Sequence, residues 1–371
     1  MADSPKKVRY AVVGLGHIAQ AAVLPAFENA ENSELVAIVS GDGEKRRAIC
    51  ARYGLEHAFT YDEFDSLLEQ KLVDAVYIAL PNDLHCDYTV RAANAGLHVL
   101  CEKPMAVTEQ QCERMIAAAE KNDVRLMIAY RLHFDAANLE AIDAARRGDL
   151  GDLRFFTSTF SQNVVDGDIR LSPLAEGGGS VYDMGIYCIN AARYLFGDEP
   201  IEVIARSESR AGDPRFAECD EMTSVVMRFA GERIASFTSS FGAGAVSTYR
   251  LVGTDGELVM DPAFEYATHL GYALKANGKS RARTFEKRDQ FGPELVYFSD
   301  CVLNGRHPEP DGYEGWADVR IIEAIYESAR TGKAVAIEPI EQSSRPDLRQ
   351  KITRPGFDKP DEIKASSPKE P

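Results

Sequence analysis

Three side chains in this sequence could together move a proton and steady the charge it leaves behind: Lys103, Asp183 and Tyr187. Lys103 lies in Glu102-Lys103-Pro104, directly after the apolar run His98 to Cys101, where the end of a buried strand would present it to a ligand. Asp183 and Tyr187 are four positions apart, on one face of a predicted helix from Val181 to Leu195. A phenol ordinarily ionises well above neutrality and needs a neighbouring cation to serve as an acid/base near pH 7. Lys103 could be that cation, or could donate to a reacting oxygen that gains negative charge. Plain amphipathic packing is the competing reading of Tyr187, and Ser180 with Asp183 also fits an S-x-x-D helix start. Glu102 is read either as half of a structural ion pair or as a group that positions Lys103.

A second constellation precedes it. The apolar run Val8 to Val13 ends in Gly14-Leu15-Gly16-His17-Ile18-Ala19, a G-x-G-x-x-A fingerprint between a strand and a helix. Gly14 allows the tight turn, Gly16 lets backbone approach a pyrophosphate, and Ala19 lets the helix sit close to the sheet. The end of the next strand selects the cofactor, since an NAD site usually places a carboxylate there for the ribose 2′-hydroxyl. Here that position is Ser40, followed by Gly41-Asp42-Gly43-Glu44-Lys45-Arg46-Arg47. A hydroxyl and cations, Lys45 foremost, suit a 2′-phosphate, so NADP(H) is the expected cofactor; Asp42 keeps NAD as the alternative.

These residues need a frame. Strands Val8 to Val13, Leu35 to Ser40, Ala75 to Leu80, His98 to Cys101 and Leu126 to Ala129 alternate with helices Ile18 to Asn29, Glu44 to Tyr53, Leu84 to Ala95 and Glu109 to Asn122. That alternation predicts an α/β fold, with a doubly wound parallel Rossmann sheet over residues 1–130. Residues 131–340 read as an α+β unit with a large, mostly antiparallel open sheet, carrying substrate and oligomer contacts. Residues 341–371 lack periodicity and read as an extended or disordered tail.

Composition excludes several partners. A net charge of -16 argues against nucleic acid and anionic membrane, so any bound phosphate needs a local cluster of donors. Seven widely spaced cysteines without a C-x-x-C pair, and no His/Cys/carboxylate cluster, predict no metal site. Met1 to Arg9 has no apolar core of a signal peptide, which makes the cytoplasm the expected compartment.

With Glu102-Lys103-Pro104 following a fingerprint and a parallel sheet, the chain resembles the glucose-fructose oxidoreductase, inositol dehydrogenase and rhizopine catabolism (Gfo/Idh/MocA) family. Ser40-Gly41 with Glu44-Lys45, Tyr130-Arg131, Gly177-Gly178-Gly179-Ser180 and Asp183-Met-Gly-Ile-Tyr187 look like its glucose-fructose oxidoreductase branch. That resemblance implies hydride exchange between nicotinamide C4 and an aldose or ketose, with Tyr187, where most of the family carries His, as acid/base and Lys103 as its partner. It places Leu80, Asn82 and His85 beside the nicotinamide, Arg131 on the cofactor, and the three glycines where backbone passes close to cofactor and sugar. Structural readings stand beside these: His85 and His133 as satisfied core histidines, Arg131 as an ion pair, Tyr61 as either an adenosine contact or the cap of a helix from Asp62 to Leu68. It further implies a homo-oligomer, dimer or tetramer. The branch's N-terminal cofactor-clasping arm is not expected here, because the first strand begins within ten residues of Met1, and this favours a freely exchanging cofactor. The competing function is a non-enzymatic NADP-binding sensor or scaffold, which needs the fingerprint but not Lys103 and Tyr187.

Overall fold

A computed structural model describes residues 6–342, 344–365 and 367–368. Six strands, β1 (Val8–Val13), β2 (Ser33–Val39), β3 (His57–Phe59), β4 (Ala75–Ile78), β5 (His98–Glu102) and β6 (Leu126–Ala129), form a parallel sheet in the order β3-β2-β1-β4-β5-β6. The chain winds outward in both directions from β1, so a crevice opens beyond the carboxyl ends of β1 and β4, the usual ligand site of such sheets. Strands β1, β4, β5 and β6 are buried on both faces, which is why they read as unbroken apolar runs. The predicted helix from Ile18 starts as a wide π turn, Ala19–Val23, and tightens to a 3-10 turn, Phe27–Asn29.

A second sheet has nine strands. These are β7 (Leu153–Asn163), β8 (Pro200–Glu208), β9 (Met222–Phe229), β10 (Arg233–Ser240), β11 (Gly242–Gly253), β12 (Gly256–Met260), β13 (Leu270–Ala276), β14 (Lys279–Phe285) and, after the small strand β15 (Arg288–Asp289), β16 (Val335–Ala336). Their order is β14-β13-β12-β11-β7-β10-β9-β8-β16, antiparallel throughout except for the parallel pair β7 and β10. Strict alternation of buried and exposed residues along β9 marks a sheet with one face packed and one in solvent. Helices Ala136–Arg146, Ile186–Phe196 and Gly312–Thr331 cover the packed face.

The edge strand β3 was not anticipated, nor were two larger elements. The hairpin β13–β14 is nearly all polar on β14, and helix Phe291–Leu303 opens Phe-Gly-Pro, a breaker signal that is harmless here because the first helical turn needs no partner for its N-H groups. That helix packs on the fingerprint side of the Rossmann sheet, where Ser299 shares hydrogen bonds of 2.7 Å with both Tyr10 and Ser33. Among the described residues after Glu341 the chain is mostly extended, with a 3-10 turn, Leu348–Gln350, and a short pairing of β15 to β17 (Arg354–Pro355). Among the described residues no helix is long and apolar enough to cross a membrane, and no cluster could hold a metal ion.

Candidate active site

The turn after β1 is built around Gly14, whose φ of +97° and whose missing Cβ, which would lie 2.3 Å from the Ala79 carbonyl oxygen, admit no other residue. Gly16 faces open space, where a Cβ would meet nothing within 4 Å. That space belongs to a cleft of about 900 Å³ running between the two sheets. Gly14, Leu15, Gly16, His17, Ile18, Ser40, Lys45, Tyr61, Leu80, Asn82, His85, Glu102, Lys103, Arg131, Asp183 and Tyr187 all line it. Gly41 alone of the expected site residues is not among the lining; it packs against the Tyr61 ring. The cleft has the size range of small-molecule and cofactor sites, roughly 300–1,000 Å³.

At the β2 end, Asp42 is the N-cap of helix Gly43–Tyr53 and accepts from the backbone N-H groups of Glu44 (2.8 Å) and Lys45 (3.1 Å). Its carboxylate is held below the usual carboxylate range by those two N-H groups, Lys45 first, with Lys364 assisting. The Ser40 hydroxyl accepts from the Asp42 N-H at 3.3 Å, and Arg46 donates to the Ser40 carbonyl, while Arg47 is exposed. Tyr61 does not cap the neighbouring helix, Phe64–Glu69, through its side chain; it lines the cleft next to Gly41 and Ser40.

Deeper in the cleft, the Lys103 ammonium donates to the Asp183 carbonyl at 2.8 Å and to the Asp183 carboxylate at 3.0 Å. Burial opposes its charge, but Asp183, followed by Tyr187 and Glu102, outweighs that and holds its pKa above the ordinary lysine value. Lys103 is therefore a fixed cation. It sits 4.7 Å from the centre of the Tyr187 ring, over the face, while the Tyr187 hydroxyl is met by Arg131, whose Nη2 donates to it at 3.2 Å. Arg131 is itself locked by donating to the Phe264 carbonyl at 2.5 Å and to Gln290. The phenol thus lies between two cations, one on its ring and one on its oxygen.

Glu102 forms no ion pair with the Lys103 ammonium. Buried, and with its pKa raised by that burial against the pull of Lys103, it accepts from the Tyr77 hydroxyl (2.8 Å) and the Lys103 backbone N-H (3.3 Å), so it fixes the loop that carries Lys103. Ser180 does not cap the helix; its hydroxyl donates to Asp220 at 2.5 Å, and a π turn, Val181–Gly185, leads into helix Ile186–Phe196. Asp183 and Tyr187 stay on one side of this widened turn, facing the cleft. Gly178 owes its lack of a side chain to Ser172, since a Cβ would lie 1.8 Å from that carbonyl oxygen. Asn82 reaches across the cleft and donates to the Gly177 carbonyl at 2.8 Å, tying the β4 loop to the glycine turn. His85 lines the cleft, yet its ring nitrogens lie 2.8 and 2.9 Å from the carbonyls of Pro104 and Leu80, and burial lowers its pKa. His133 is likewise engaged, with Glu309 and Asn190.

Sequence reasoning missed Arg170. Its Nε donates to the second Asp183 oxygen at 2.9 Å, so Asp183 is clamped between Lys103 and Arg170. Only an arginine in an aperiodic loop was there to signal it. Tyr266, whose hydroxyl is 3.2 Å from His17 Nε2, was missed for the same reason.

Residues 8–130 match the model of the Gfo/Idh/MocA oxidoreductase family with an NAD-binding Rossmann fold, and residues 139–259 match the family's C-terminal domain. The chain belongs to the Gfo/Idh/MocA oxidoreductase family. It is 33% identical over 343 residues to the D-xylose 1-dehydrogenase [NADP(+)] of Haloarcula marismortui, covering 91% of this chain and 94% of the relative. A Haloferax volcanii D-xylose 1-dehydrogenase (NADP(+)) is 35% identical over 336 residues, covering 89% of this chain and 99% of the relative. The crystal structure of an aldose-aldose oxidoreductase from Caulobacter crescentus, complexed with glycerol, superposes with a TM-score of 0.86 at 39% identity, over 90% of this chain and all of that one. This Gfo/Idh/MocA member therefore has the fold and the oxidoreductase family expected from its motifs.

Proposed function

We propose that this protein is an NADP-dependent sugar oxidoreductase, with residues 1–130 holding the dinucleotide and residues 131–340 the sugar. The observation that carries the reading is the Tyr187 phenol set between Lys103 and Arg131 at the inner end of a cleft whose outer end is the Gly14 to Ala19 fingerprint. The donor set suits the cofactor: an open space at Gly16, a hydroxyl and lysine at Ser40 and Lys45, and an Asp42 whose Oδ1 caps the following helix and whose Oδ2 lies 3.4 Å from the Lys364 ammonium. The two NADP-dependent relatives and the aldose-aldose oxidoreductase support the same substrate and cofactor class.

When bound, the nicotinamide supplies the two-electron carrier. The chain's own residues handle the proton. Tyr187 takes it from, or returns it to, the sugar oxygen, and the Arg131 guanidinium and Lys103 ammonium stabilise charge developing on the phenol oxygen. Asp183, shared between Lys103 and Arg170, fixes the direction of the ammonium. Oxidation of an aldose to a lactone and reduction of a carbonyl sugar to a polyol use the same machinery in opposite senses. The solvent face of the second sheet, where Ile204 lies opposite Val226 and Ile234 beside Phe155, is our candidate homo-oligomer contact.

A panel of aldoses and ketoses assayed with NADP(H) and NAD(H) tests the reading. Turnover with NADP and at least one aldose is expected, and Ser40→Ala with Lys45→Ala should weaken NADP binding by about tenfold while NAD binding changes little. Absence of turnover across the panel, or equal loss for the two dinucleotides, defeats it.

A further inference from the structure

The segment beyond Glu341 does more than finish the chain. It is anchored stepwise: Gln350 donates to the Glu309 carbonyl at 3.0 Å, and then, on the Rossmann unit, Arg354 grips both oxygens of Glu31 at 2.6 and 2.7 Å and donates to the Asn29 carbonyl at 2.8 Å. It then crosses the cleft, with Phe357, Lys359, Lys364 and Ala365 contributing to its lining. The crossing is stitched to the fingerprint itself. The buried Gln20 side chain accepts from the Ile363 N-H at 2.8 Å, donates to the Ile363 carbonyl at 3.0 Å, and also donates to the Leu15 carbonyl at 2.8 Å inside the glycine turn. Glu362 pairs with His17 Nδ1 at 2.8 Å. On the far wall, the Val165 N-H donates to the Pro368 carbonyl at 3.1 Å.

One residue of this strap stands at the point that separates the two dinucleotides. The Lys364 ammonium lies 2.8 Å from Glu44 and 3.4 Å from Asp42, on the first turn of the helix that follows Ser40. A 2′-phosphate received by Ser40 and Lys45 would otherwise face both carboxylates, within a chain of net charge -16. We propose that Lys364 is a specificity residue for the 2′-phosphate, and that the strap Phe357–Ala365 is an integral wall of the cofactor site which slows dinucleotide release. This deepens the NADP reading above and rests on it. Lys364 offsets the two carboxylates and leaves the remaining cationic field free to hold a phosphate.

Equilibrium binding of NADPH and NADH to the full-length protein, followed by nicotinamide fluorescence without substrate, tests it. Lys364→Ala should weaken NADPH by about fivefold and NADH by less than about twofold, and Lys364→Arg should restore the ratio. Chain termination before Phe357, and independently Ile363→Pro, which removes the N-H accepted by Gln20, should each speed NADPH release by about tenfold when excess 2′,5′-ADP captures the vacated site. A wild type that prefers NADH overturns the NADP reading itself. A wild type that prefers NADPH, with a ratio unmoved by Lys364→Ala and a release rate unmoved by the two strap variants, overturns this inference alone.

Discussion

Asp183 and Arg193 lie on one helical stretch, and each gathers opposite charges around it, yet the two clusters face different surroundings. Arg193 is fully buried: it donates to Glu199 at 2.6 and 3.0 Å, to Glu314 at 2.9 Å from each of two nitrogens, and to Asp318 at 2.6 Å. Asn190 donates to Glu314 and Asp318, and Arg345 completes Glu199. This cluster clamps helix Gly312–Thr331 to helix Ile186–Phe196, and every carboxylate in it has partners within the protein. Around Asp183, Lys103 and Arg170 are also paired, but the group borders the cleft beside Tyr187. Buried opposite charge alone is therefore not the signature of a reaction site. What separates the two is the cleft: Asp183, Lys103, Arg170 and Tyr187 line it, whereas Arg193, Glu314 and Asp318 do not.

The sharpest way to break this comparison is through the chemistry. Lys103→Ala and Tyr187→Phe should each lower kcat by about 10²–10⁴-fold, as loss of a proton-transfer group does, while NADPH binding persists. Sugar turnover at wild-type rates in either variant would reduce the Asp183 cluster to a second structural clamp. Next in size comes Arg193→Met. It leaves three buried carboxylates facing one another and should cost about 3–5 kcal/mol of folding stability, read from urea unfolding. Catalytic constants per folded molecule should hold, and a selective fall in kcat would show that this cluster is coupled to the site after all.

The sequence announced the two groups unequally. The fingerprint, Lys103, Asp183 and Tyr187 were legible because each belongs to a strand end or a helical face whose period places it. Strands β1, β4 and β6 were legible as buried apolar runs, whereas β3, three residues at a sheet edge, and the polar β14 carry no such pattern. Arg170 and Gln20 act through hydrogen bonds to distant segments from aperiodic or small-residue contexts, and the C-terminal strap is held by separate ion pairs, backbone bonds and a few scattered apolar residues rather than by a periodic apolar face. Contacts of that kind exist only once the fold brings distant segments together. The Arg193 cluster was invisible for the same reason, since its carboxylates come from two separate places in the chain, Glu199 and the pair Glu314 and Asp318 on helix Gly312–Thr331.

The smallest effect is the most discriminating, because one carboxyl of each cluster, Asp183 and Asp318, should respond to acid with opposite sign. Burial would raise the Asp183 pKa, but Lys103 and then Arg170 outweigh it and hold the carboxyl well below the usual range. Its stabilisation is present above the unfolded carboxylate value of about 4 and drains away as pH falls below it. Asp318 is the reverse: burial dominates over the pull of Arg193, and its pKa lies above the ordinary value. A carboxyl raised in this way favours the folded state at low pH and loses that advantage as pH climbs past about 4. The stability gap between wild type and Asp183→Asn should accordingly shrink on acidification below about pH 4. The gap between wild type and Asp318→Asn should instead shrink as pH rises from there toward neutrality. Urea unfolding across that range measures both, and gaps that move in the same direction would mean that Asp183 and Asp318 are held in the same protonation state by their surroundings.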